Sequence, residues 1–218
     1  TAAIDLGPAD PVMFNSRGHA LCRLQRYGEA LRDYAQAIEI DPEDVGTLVH
    51  RGDTYADMGK YSEAANDYRQ AVKIDPKLGR AYQSAAWLMA TCPDEHYRND
   101  RLAIEVARKA IDLDGDDDFR YLETLAAAQA NAGLFKEAKD TQEKAIAKAP
   151  RGELVPAEKR MALYQRDLAY RDPPRQSFAP VGGENQDHQV RQASATSKNP
   201  RRPPRPNPRN RNQPADRQ

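Results

Sequence analysis

Apolar residues between positions 11 and 78 return every three or four residues, the spacing of one helix face, and the whole pattern then returns after 34 residues. Gly18 and Gly52, Tyr27 and Tyr61, Ala30 and Ala64, Tyr34 and Tyr68, Ala37 and Ala71, and Pro42 and Pro76 are all pairs of this one period. The closing triplet Ile40-Asp41-Pro42 recurs as Ile74-Asp75-Pro76. Each unit therefore predicts two helices of about 14 residues, split by a short turn at Gln25-Arg26-Tyr27 or Gly59-Lys60-Tyr61. Glycine and alanine stand where two helices must approach closely, and Phe14 and Tyr34 fill the space between them. Proline ends each unit because it cannot continue a helix.

The first two units span 11–44 and 45–78. A third, 79–117, keeps register through Tyr82, Ala86 and Met89, but Ala90 and Ala103 are 13 apart where Ala56 and Ala64 are eight apart. A five-residue insertion is therefore expected within 91–100. The fourth unit, 118–152, has Gly133, Phe135, Ala138, Ala145 and Pro150 in register. Residues 153–170 read as one more amphipathic helix (Leu154, Ala157, Met161, Tyr164, Leu168), with Pro156 tolerated in its first turn, and this helix should cap the open end. At the other end, Ala3 to Asp10 matches the closing segment of a unit, so 1–10 reads as the end of a truncated preceding repeat.

Phe14, Arg17, Gly18, Leu21, Ala30, Tyr34 and Pro42 together resemble the signature of the tetratricopeptide repeat (TPR). Arg17 and Arg51 depart from it, standing where leucine is usual; a long arginine stem can still cover apolar surface while its head reaches water. The stretch from Ala86 to Ala128, including Ala90-Thr91-Cys92-Pro93-Asp94, is similar to the C-terminal repeats of large bacterial, planctomycete-like TPR proteins.

The resemblance implies an all-α fold, a right-handed superhelical solenoid of antiparallel helix pairs with a concave groove lined by the first helix of each unit. Carried onto this chain, the partner-binding groove positions include Asn15, His19, Arg23, His50, Asp53, Asp57, Arg80, Gln83, Ser84, Trp87, Arg120 and Glu123. Chaperone-binding members hold a terminal carboxylate at five positions that read here Asn15, His19, His50, Arg80 and Ser84, which keeps one fixed cation. A working carboxylate clamp is not expected. His19 and His50 would add charge around the ordinary histidine pKa of about 6.5, so an acidic partner should bind more tightly as pH falls. Trp87, the sole tryptophan, is expected to pack under the insertion rather than to stand open.

Two further clusters have bland explanations. His19, Cys22, His50 and Asp53 could superficially offer zinc ligands, but a polar groove lining accounts for them. Asp112, Asp114, Asp116, Asp118 and Glu123 mimic a calcium loop, yet Asp117 stands where such a loop needs glycine, and acids at a unit boundary cap helices.

Charge divides the chain unevenly. Lys plus Arg equals Asp plus Glu over the 218 residues, but from Pro173 onward nine basic residues face three acidic ones, leaving that segment net +6 and the first 172 residues net −6. Nine of the 16 prolines also follow Asp172, and residues 171–218 read as a disordered Pro/Arg-rich tail that is dispensable for folding. Pro200 to Arg205 matches a polyproline II ligand pattern, and Arg201, Arg202, Arg205, Arg209 and Arg211 could make weak, salt-sensitive polyanion contacts. Cys22 and Cys92 fall in different units, so no disulfide is expected and a cytoplasmic location is inferred. No membrane span, glycine-rich phosphate loop, nucleophile elbow or paired catalytic carboxylates are found, and no metal or cofactor is expected.

These features point to a non-enzymatic scaffold that holds a partner peptide or helix in its groove. The alternatives are a substrate-positioning region of a larger kinase or protease and, more weakly, nucleic-acid binding through the basic tail.

Overall fold

A computed structural model describes residues 10–175. Among them are nine α-helices and no strand: α1 (Pro11–Arg23), α2 (Tyr27–Ile40), α3 (Val45–Asp57), α4 (Tyr61–Ile74), α5 (Gly79–Thr91), α6 (Asp100–Asp114), α7 (Phe119–Asn131), α8 (Phe135–Lys148) and α9 (Leu154–Tyr164), with one 3₁₀ turn at Glu95–Tyr97 inside the expected insertion. Helices pair as α1/α2, α3/α4, α5/α6 and α7/α8, and each pair stacks on the next, which is the solenoid that the TPR resemblance implies. The truncated repeat read over 1–9 and the basic tail from 176 onward, with Arg201, Arg202, Arg205, Arg209 and Arg211, lie outside the described residues.

Unit boundaries follow from side-chain chemistry. Asp41 and Asp75 accept from the backbone N–H two residues on, at 3.1 and 2.8 Å, across the proline that ends the unit. Asp10, Asp44, Asn99 and Asp118 cap the next helices through their side-chain oxygens. Within three units, the turn between helices passes through one left-handed residue: Gln25 (φ 59°), Gly59 (φ 74°) and Gly133 (φ 78°). The third unit has no such turn. There the end of α5 is closed from outside, with Met89 C=O taking the Asn99 N–H and Cys92 C=O taking an Arg98 guanidinium N–H.

The core of the first two units is one motif used twice. Tyr34 and Tyr68 are buried against Gly18 and Gly52, so closely that a methyl group on either glycine would stand 2.8 or 2.6 Å from the ring. By register, the third and fourth units put Ala86 opposite Ala107 and Ala126 opposite Gln142, so both partners change together. Arg17 and Arg51 do more than reach for water. Each makes two hydrogen bonds to a buried carboxylate of its own unit, Asp33 (2.6 and 2.7 Å) or Asp67 (2.8 and 2.8 Å), and this pairing also repeats at the 34-residue period.

Two expectations at the C-terminal end are corrected. The cap is shorter than 153–170, because α9 ends at Tyr164 and the chain reverses through Asp167 (φ 56°). Residues 171–175, assigned by composition to the tail, are packed on the repeats: the Asp172 N–H donates to Thr91 C=O at 2.9 Å and the Arg175 N–H to Asp57 C=O at 2.7 Å. Composition failed here because the segment is held by hydrogen bonds and charge, which need little apolar surface.

Candidate functional site

First helices of successive units touch directly, α1 with α3, α3 with α5 and α5 with α7, while second helices meet mainly their own partner and the next first helix. The array therefore curves with the first helices on its inner, concave side. That side carries most of the expected groove residues, in local polar groups along its length.

At one end, the His19 and His50 rings lie 5.4 Å apart, and His50 Nδ1 is 2.9 Å from Asn15 Oδ1. Arg23 is exposed at the end of α1. In the middle, Asp53 accepts from the Tyr68 hydroxyl and from Arg80 Nη2, both at 2.8 Å, so the carboxylate joins the buried core to the open face. Arg120 is exposed but folded onto Asp118.

Three of the expected groove residues are not open to a partner. Gln83, Ser84 and Glu123 are buried, because their positions face the next first helix in the stack rather than the solvent. Gln83 donates to Thr124 Oγ1 at 2.8 Å. Glu123 is paired with Arg160 of α9 and accepts from Gln142 Nε2 at 3.3 Å, so it anchors the cap. The calcium-like acids are likewise spent on structure: Asp114 accepts from the Tyr121 hydroxyl and the Gly79 N–H, and Asp116 pairs with Lys148.

At the other end of the face, the expected residues Trp87 and Asp57 meet residues outside the expected set. Trp87 donates its indole N–H to Asp172 at 2.7 Å, with Tyr170 6.0 Å away and the Arg160 guanidinium over both rings at 5.7 and 5.6 Å. It is therefore Tyr170, Arg160 and Asp172, not the 91–100 insertion, that the structure sets against the ring. Asp57 faces Arg175, with 3.3 Å between Oδ1 and Nε. Signals for this arrangement existed: α5 ends without a glycine, and Asp172-Pro173-Pro174-Arg175 is an extended stretch with a charge at each end.

Burial controls the titration of this face. It lowers the His50 imidazole below its ordinary value, so His50 takes up its charge at lower pH than an exposed histidine would. Burial also raises the Asp57 carboxyl to about 6, against the pull of Arg175 and with the push of Asp172 and Asp53. The folded chain thus holds this proton more tightly than the unfolded one, where 3.8 is ordinary, and the stabilisation so gained is lost as pH rises from 4 through 6. Replacing Asp57 with Asn, which keeps the shape and removes the charge, is expected to stabilise the protein at pH 7, with the gain shrinking toward zero near pH 4. Paired urea titrations of both proteins across this range check it; a gain that is constant with pH means that Asp57 is not the group responsible.

Comparisons with known proteins bear on the scaffold. A family model described as TPR repeat matches residues 18–59 and 52–85. Solved structures with the same fold include PilW, a widely conserved type IV pilus biogenesis factor (TM-score 0.63, 18% identity, 72% of this chain and 69% of that one). MamA matches with a TM-score of 0.53 at 20% identity over 72% of this chain and 81% of its own. YrrB, titled a TPR protein with an unusual peptide-binding site, matches with a TM-score of 0.50 at 17% identity over 72% and 79%. No curated protein matches the sequence. The chain thus contains TPR repeats in an all-helical solenoid. At these identities the structural likeness extends to the fold alone.

Proposed function

We propose that this chain is a protein-interaction scaffold, binding rather than catalysing, and that a peptide or helix of its partner lies along the concave row of α1, α3, α5 and α7. The observation that carries the reading is the Arg80–Asp53 pair. The two side chains are 33% and 35% exposed, and Asp53 reaches the core through the hydrogen bond it accepts from Tyr68. A partner carboxylate can take over the Arg80 guanidinium without leaving Asp53 unpaired, because the Tyr68 hydroxyl still donates to it. YrrB, with its titled peptide-binding site, is a precedent for the fold in such a role.

No helix among the described residues is long and apolar enough to cross a membrane. Cys22 and Cys92 are free thiols, which suits a reducing compartment such as the cytoplasm.

The test is recovery of partners from a lysate by the full chain and by a His19→Ala/Arg80→Ala variant of unchanged helicity. The variant is expected to lose the partners, with the wild-type interaction weakening as salt is raised, since exposed charges are screened over about 8 Å at physiological ionic strength. Equal recovery by both proteins removes the concave row as the binding surface.

A further inference from the structure

The repeats end in carbonyl groups that something must satisfy. The last turn of any helix leaves its C=O groups without intrahelical donors, and a tight glycine turn usually folds back to supply them. At α5 no such turn exists, and at α3 the turn through Gly59 reaches only as far as Ala56 C=O. Residues 171–175 fill these vacancies. The Arg171 guanidinium reaches Ala90 C=O at 3.4 Å, the Asp172 N–H takes Thr91 C=O, and the Arg175 N–H takes Asp57 C=O.

The sequence of this strap suits the task. Pro173 and Pro174 carry no N–H, so no backbone donor is stranded between the two anchor points, and their rings hold Asp172 and Pro173 extended. Pro174 lies over Gly59, where a methyl group on the glycine would stand 3.3 Å from the proline Cβ. The charges are matched end to end as well. The Asp172 carboxylate receives the Trp87 indole N–H, and the Arg175 guanidinium meets the Asp57 carboxylate. Pro173, Pro174 and Arg175 nevertheless remain exposed, and the strap adds no residue to the hydrophobic clusters, which end at Tyr170. It is a polar, reversible contact laid on a finished core.

We propose that the ends of α3 and α5 form a docking site for an extended acid–Pro–Pro–base segment, kept filled by the chain's own Asp172–Arg175, so that a partner carrying such a segment binds by replacing the strap. Recognition is divided between three features: an indole N–H for the acid, helix-end carbonyls for the two flanking N–H groups, and a half-buried carboxylate for the base. The strap follows directly on the capping region and meets the site at high effective concentration, so a free peptide competes poorly until the strap is loosened. This proposal rests on the concave-face reading above and adds the chemistry of the ligand and its control.

The chain contains its own specificity control. Pro203-Pro204-Arg205 repeats the Pro–Pro–base element, but Arg202 stands where Asp172 stands in the strap. The experiment uses two labelled peptides, one with the sequence of residues 169–175 and one with that of 199–205. Each is titrated against the full wild-type chain and a full-length Asp172→Ala/Arg175→Ala variant, and binding is followed by anisotropy and by emission of Trp87, the only tryptophan. The 169–175 peptide is expected to bind the variant at least about tenfold more tightly than wild type, with a change in Trp87 emission, and the 199–205 peptide to bind neither protein.

Equal affinity of the 169–175 peptide for both proteins, or no binding to the variant, overturns the proposal. So does equal binding of the two peptides, which would show recognition of polyproline alone. Should the double variant unfold, Trp87→Phe keeps an aromatic ring and removes the donor; the Asp172 and Arg175 amides are then expected to exchange faster than in wild type, and unchanged exchange is the overturning result. The His19→Ala/Arg80→Ala variant separates the two readings. Failure of the peptide arm while that variant still loses its partner defeats the docking site and leaves the scaffold standing.

Discussion

Tyr68→Ala is expected to cost about 3–5 kcal/mol, and Gly52→Ala about 1–3 kcal/mol, but the two together should cost little more than Tyr68→Ala alone. The first substitution removes a buried ring and its hydroxyl, leaving a cavity against Gly52 and depriving Asp53 of a donor. The second drives a methyl group to 2.6 Å from the same ring, closer than real carbon atoms approach, so the ring or the helix must move. Once the ring is gone that methyl group enters empty space, and its cost disappears. The expected non-additivity is therefore large, as befits residues in contact. The third unit places Ala86 and Ala107 at these positions, which is the compatible small–small arrangement. Because Tyr68 lies mid-array, urea unfolding followed by circular dichroism should show the loss as one shifted transition; additive costs for the double variant would mean that the ring does not sit on Gly52.

Arg160→Met is the second large effect. Arg160 and Glu123 are both buried and paired, so removing the guanidinium while keeping the aliphatic stem leaves a carboxylate inside the protein without its cation. Breaking a buried pair in this way costs about 3–5 kcal/mol. In a stacked array, however, a terminal element can detach instead of unfolding the whole, so the measured global loss is limited by how firmly α9 is docked. Hydrogen exchange is the suitable readout: amides of α9 and of residues 170–175 should lose protection ahead of those of α3 and α4. Adding Glu123→Gln should restore most of that protection, since a neutral amide needs no counter-charge. Unchanged protection of α9 in the single variant would show that apolar contacts around Tyr164 and Ala157 suffice without the pair.

Legibility of the fold in the sequence depended on whether a residue answered to the period. Gly52, Tyr68, Ala71 and Pro76 could be placed because each repeats a partner 34 positions earlier and each has one job within its own unit. Arg51 stands out as a departure, but Asp67, which explains it, does not stand out alone, although it lies 34 positions after Asp33. The pair was readable only as a pair. For the candidate site, an idealised groove register puts His19, His50, Asp53 and Arg80 on the face of the first helices and puts Gln83, Ser84 and Glu123 there as well, although these three are buried, because it takes no account of what stacks next. The strap was hidden for a different reason. Average composition asks whether a segment can bury enough apolar surface, and residues 171–175 are held instead by two backbone donors, an indole N–H and one carboxylate.

The strap also alters the mechanics of the array. Helix pairs that touch only their neighbours act as springs in series: each interface yields slightly, and the compliances add along the stack. A tether running from the α9 end back to α5 and α3 acts in parallel with that series, so the second, third and fourth units stretch or twist only as far as residues 171–175 permit. A ligand that opens the clasp thus also softens the body that holds it.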